Sequence, residues 1–87
     1  MKLPDPRLDG DMPLARTLAT RRSIREYAPD ALSLADVSQL LWSGQGVTEA
    51  ETGYRTTPSA GATFPMETYL IAGAVEGLDP GVYRYDP

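Results

Sequence analysis

The chain has 87 residues, 41% of them apolar, and a formal net charge of −4. The acidic balance argues against nucleic-acid binding, and no stretch approaches the ~18 apolar residues of a membrane span. With no His and no Cys, the chain has no imidazole base, thiolate nucleophile or N/S metal ligand, so an enzyme built on it needs a cofactor for the hard step.

Eighty-seven residues allow one small domain, burying roughly 60–65% of its unfolded surface. Residues 1–10 are a Pro- and Asp-rich lead-in, expected to be extended. No apolar run follows Lys2, so no secretion signal is visible and the expected location is cytoplasmic. Asp11 can cap a helix starting near Met12, with Pro13 in its first turn. Leu14 and Leu18, backed by Ala15 and Ala19, form its apolar face.

The stretch Thr20-Arg21-Arg22-Ser23-Ile24-Arg25 comes next. With Arg16 it places four of the eight basic residues within ten positions, with no acid among them. Guanidinium forks beside a hydroxyl form a donor array suited to phosphate. If the helix runs on, Leu14, Leu18, Arg21 and Arg25 share one stripe. An inward arginine is costly unless an anion meets it. Cations near a helix C-terminus also complement its dipole, and from the hexapeptide alone a solvated face is the simpler reading. Ile24 to Pro29 reads as extended.

The second helix carries the clearest signals. Ser33 stands as N-cap with Asp36 at N3, and Leu32 and Val37 occupy the positions of a hydrophobic staple. Leu34, Val37, Leu40 and Leu41 repeat at helical spacing, and Gly44 or Gly46 can end the helix. Gly44-Gln45-Gly46 follows a helix and has Glu at 49, so it is no dinucleotide fingerprint.

Residues 47–57 read as a polar loop. Pro58-Ser59-Ala60-Gly61-Ala62, closed by Pro65, is a run of small residues that lets backbone approach a flat ligand, although a plain turn has the same composition. Glu67 to Val75 reads as a strand with apolar side chains on both faces, the mark of an interior strand. Val82 to Tyr85 is its expected antiparallel partner. Two helices and one hairpin do not cover such a sheet, so the expectation is a domain completed by further C-terminal sequence, a dimer partner, or both.

Arg21-Arg22-Ser23-Ile24-Arg25, a Leu-Leu-Trp helix end, Pro58–Ala62 and Pro80-Gly81-Val82-Tyr83 occur in an order that resembles the N-terminal part of the nitroreductase family. The likeness is greatest to its azoline-oxidising (SagB-type) dehydrogenase branch, and it covers residues 16–87. The resemblance implies an α+β fold with helices packed on a mainly antiparallel sheet, and a homodimer with FMN at the interface. It further implies that Arg21, Ser23 and Arg25 hold the flavin phosphate, with Arg22 adding backbone or side-chain contacts. Pro58, Ser59, Ala60 and Gly61 would lie against the flavin ring, from the partner subunit. The implied activity moves hydride between NAD(P)H, or a small-molecule or peptide-derived substrate, and an acceptor. Family members are about twice as long, so the alternative is a truncated, non-catalytic phosphate- or flavin-binding module. No catalytic residue or metal ligand set is assigned.

Overall fold

The structure is a computed structural model describing residues 1–87. Two α-helices, α1 (Leu14–Thr20) and α2 (Leu34–Gln45), precede four short strands. These are β1 (Val47–Glu49), β2 (Tyr54–Arg55), β3 (Tyr69–Ala72) and β4 (Gly81–Arg84). The strands form two separate two-stranded antiparallel sheets, β1–β2 and β3–β4.

Helix α2 is the frame. Ser33 Oγ accepts a hydrogen bond from the Asp36 N–H at 3.1 Å, satisfying one of the donors that a helix start leaves free. The helix ends at Gly46, whose N–H donates to Trp42 O at 2.7 Å. A Cβ at Gly46 would collide with both the Trp42 ring and its carbonyl oxygen, so the terminator must be glycine for lack of space. The lead-in straps onto this helix. Ser38 Oγ donates to Pro4 O at 2.6 Å, Arg7 N–H donates to Gln39 Oε1 at 2.8 Å, and Gln39 Nε2 returns a bond to Arg7 O at 3.0 Å. An open cavity of about 500 Å³ lies between this strap and the end of β4, lined in part by Leu41, Trp42, Leu70 and Tyr83.

The expected polar loop contains the β1–β2 hairpin. Val47, Thr48 and Tyr54 have strand propensity, Gly53 supplies a positive φ of 76° in the turn, and a bulge interrupts the register after Val47. The β3–β4 pair runs from Tyr69↔Arg84 to Ala72↔Gly81, shorter and shifted by one residue from the sequence expectation. Leu32 does not act as half of a staple; its side chain is exposed. Its backbone instead bridges in parallel to Val75, accepting from Glu76 N–H at 2.8 Å and donating to Ala74 O at 3.3 Å. That bridge ties the entrance of α2 to the end of β3.

The interior-strand expectation is not met within this chain, because β3 pairs with β4 alone and only one of its faces is covered. Ala72 is buried and Leu70 half-buried, whereas Ile71 is 82% exposed beside its exposed cross-strand partner Val82. Helix α1 differs from expectation at both ends. It begins after Pro13, with no side-chain cap, and stops at Thr20, because Arg21 turns extended at φ −56°, ψ 130°. A seven-residue helix with no partner is marginal, and every residue from Arg7 to Leu32 is exposed. Only 4 of 87 residues are buried, none bulkier than Val37, so the visible core is small. The radius of gyration of 14.7 Å exceeds the ~12 Å of a closed domain this size.

Candidate functional site

The arginine segment is extended chain just beyond α1. Because the helix stops at Thr20, Arg21 and Arg25 do not continue an inward stripe; Arg21, Arg22, Ser23 and Arg25 all lie exposed. Arg22 explains part of the stop. Its Nη1 donates to Arg21 O at 2.7 Å and to Ala19 O at 3.4 Å, satisfying carbonyls that the helix end leaves open. Arg21 and Arg25 make no ion pair, since the molecule's one salt bridge joins Arg84 to Glu67 at 3.9 Å. Their guanidinium groups stand free for an anion, which fits a phosphate anchor. The segment supplies charge in an open setting, with no built pocket around it.

The small-residue run forms a tight turn. Gly61, Ala62 and Phe64 take positive φ values of 66°, 52° and 44°, a conformation that costs a non-glycine residue of order 1–3 kcal/mol. Ser59 holds the turn with two oxygens: its carbonyl accepts from Ala62 N–H at 3.0 Å and its hydroxyl accepts from Phe64 N–H at 2.8 Å. The turn borders an open depression of about 680 Å³ that includes Pro58, Ser59 and Gly61 but none of the arginine-segment residues. Within one chain the structure does not join the two motifs in this depression. Small side chains, backbone bent around Ser59 and an open face fit a flat ring lying against the turn.

Arg55 is the residue that sequence reasoning missed. Its Nη1 donates to Gln45 Oε1 at 3.2 Å, and its guanidinium carbon lies 4.8 Å from the centroid of the Phe64 ring, a cation–π arrangement. It therefore links the end of α2 to the turn. Burial alternates here: Arg55, Thr57 and Ser59 are half-buried, while Thr56, Pro58 and Ala60 are exposed. The sequence carried no signal of this, since Arg55, Thr56 and Thr57 are all polar and read as loop.

Two tyrosines near this region hold their protons more tightly than usual. Burial pushes the Tyr85 phenol above its ordinary 10.0, with Arg55 opposing and Asp86 adding to the rise. Tyr69 donates to Glu67 Oε2 at 3.0 Å, and that bond raises its pKa above 10.0, helped by the Glu67 charge. Tyr83 Oη donates to Asp79 O at 2.7 Å, tying β4 to the connection before it.

Comparison with known proteins identifies the family of the chain. The chain is 44% identical over 77 residues to a Methanocaldococcus jannaschii protein named as a putative nitroreductase. The match covers 88% of this chain and 38% of that relative, so the chain spans well under half of the relative's length. No solved structure matches. The nitroreductase family pattern matches residues 18–87, beginning just before the arginine segment and including the small-residue turn and both strands of the second sheet. The chain belongs to the nitroreductase family.

Proposed function

We propose that the chain is the N-terminal part of an FMN-dependent oxidoreductase, nearest in kind to the azoline-oxidising branch, working as a homodimer with the flavin between subunits. The observation that carries this reading is the set of exposed arginines at 21 and 25, unpaired with any carboxylate in an acidic chain. Arg21, Ser23 and Arg25 would bind the flavin phosphate, Arg22 adding what its own helix-end bonds leave free. Pro58, Ser59, Ala60 and Gly61 of the partner would orient the ring and exclude water from one side of it. Bound FMN supplies two-electron chemistry between NAD(P)H, or a small-molecule or peptide-derived substrate, and an acceptor. The open faces of α1 and β3–β4 support completion of the fold by further sequence or by the second subunit.

The shared site can be tested with a mixed dimer. Arg25→Glu places a carboxylate against the phosphate, and Ser59→Trp fills the ring's space. Each homodimer would carry two defective sites. In a heterodimer purified through two tags, both lesions fall in one site, and the other is wild type in both motifs. The heterodimer should hold about one FMN per dimer, by the logic of sites shared across a two-fold axis. A flavin-free heterodimer beside a yellow wild-type dimer would show that the motifs do not meet across the interface.

A further inference from the structure

Arg55 is the only arginine of the chain that is not exposed. It has no carboxylate within 4 Å, since the single salt bridge lies elsewhere. The Nη1 bond to the neutral Gln45 amide is the only hydrogen bond of its side chain, and its buried Nε has no partner. Two residues on, the buried Thr57 Oγ1 also lacks a partner. A half-buried cation and a buried hydroxyl left unpaired each cost free energy that an acceptor would recover. Both residues line the 680 Å³ depression, which contains no acidic side chain. Ser59 lines it as well, and its oxygen already accepts from Phe64 N–H, so its own proton remains available to donate. A second, smaller depression that Arg55 also lines does contain Glu67 and Asp86, yet neither reaches ion-pair distance of Arg55.

We propose that Arg55, Thr57 and Ser59 form an oxyanion-binding subsite, distinct from the arginine segment, that takes a carboxylate or phosphate group of a small molecule. The Phe64 ring lies against the guanidinium group and Gln45 holds one of its nitrogens. The fork is therefore pre-oriented, which lowers the entropy lost when an anion arrives. The inward arginine that needs an anion is thus Arg55, while the cluster at 21–25 stands in solvent. The subsite does not depend on the flavin reading, and flavin-free protein tests it.

The experiment follows the arginine Nε–H signals by ¹⁵N NMR while sodium phosphate or sodium acetate is titrated into flavin-free protein, with sodium chloride at matched ionic strength as the control. Arg55 is identified by the signal missing in Arg55→Gln. That variant removes packing on Phe64 as well as charge, so Thr57→Val, which removes only a hydroxyl, provides the second test. The Arg55 signal should shift saturably with phosphate, acetate or both, and not with chloride. Response to phosphate alone assigns phosphate esters, and response to acetate assigns carboxylates. Thr57→Val should weaken binding about fivefold, the loss of roughly one hydrogen bond. The double variant Arg21→Ala, Arg25→Ala should bind unchanged. A shift no larger than that with chloride, an unchanged constant in Thr57→Val, or loss of the response in the double variant would each overturn the subsite. The mixed dimer tests the flavin reading separately, so its failure there with this titration intact would leave the subsite standing.

Discussion

Residues 7–31 and residues 32–87 use the same amino acids in opposite ways. In the first region every side chain is exposed, and Leu14, Leu18, Ile24 and Tyr27 face solvent beside the arginines. In the second, backbone bridges and a capped helix assemble a small core around Val37 and Ala72. The difference separates two jobs. Charge in the open region can be changed without disturbing packing, whereas small changes around α2 act on the fold first. Ligand affinity and stability should therefore respond to different substitutions.

The largest expected effect sharpens that separation. Arg25→Ala should lower FMN affinity about 10- to 100-fold, the range for losing a hydrogen bond to a charged group, with no change in melting temperature. Fluorescence quenching during flavin titration measures the first and a thermal melt the second. Unchanged affinity would return the arginines to a solvated face. A large fall in melting temperature would show that the open region is packed after all.

The converse substitution lies at the end of α2. Gly46→Ala drives a Cβ into the Trp42 ring and carbonyl, and overpacking of this kind typically costs ~1–3 kcal/mol. Urea denaturation should show a lower midpoint. An equally stable variant would mean that the Trp42 ring moves aside freely and that the helix end is not fixed by that contact.

What the sequence made legible follows the same division. Helix α2 was readable because cap, periodicity and terminator all point to one helix, and Ser33, Asp36 and Gly46 take the predicted positions, although Leu40 of the expected stripe is exposed and Ser38 is buried in its stead. The end of α1 stayed open because periodicity allowed the stripe to run on, whereas Arg22 binds the last carbonyls and Arg21 turns extended, leaving the solvated face. The β1–β2 hairpin escaped notice because strands of three and two residues are too short for alternation to register. The small residues of 58–62 indicated close approach to backbone. Their composition could not show that Ala62 and Phe64 also take positive φ, since that depends on Ser59 anchoring the turn twice. Arg55 was hidden for a related reason: its importance lies in Gln45 and Phe64, ten residues before it and nine after.

A smaller effect tests the cap itself. Ser33→Ala removes the acceptor for Asp36 N–H and should cost about 1 kcal/mol, read as a lower denaturation midpoint with flavin affinity unchanged. Ser33→Asp should restore most of the loss, because Asp caps as well as Ser. Failure of that rescue would assign the loss to something other than the missing acceptor.

The smallest effect is a pH dependence within the packed region. Burial favours the neutral Tyr85 phenol in the folded chain, so its folded pKa lies above the ordinary 10.0. The folded state therefore holds this proton more tightly than the unfolded state. The corresponding stability is fully present below pH 10 and is lost as pH rises through the folded value. Tyr85→Phe cannot ionise, so the variant should lose less stability between neutral pH and the alkaline range than the wild type. Arg55 opposes the rise, so Arg55→Gln should move the Tyr85 midpoint further up. Phenolate absorbance, taken as wild type minus Tyr85→Phe, gives the midpoint directly. A midpoint at or below 10.0 would mean that Tyr85 is as open to solvent as residues 7–31, removing one of the few contrasts in burial that separate the two regions.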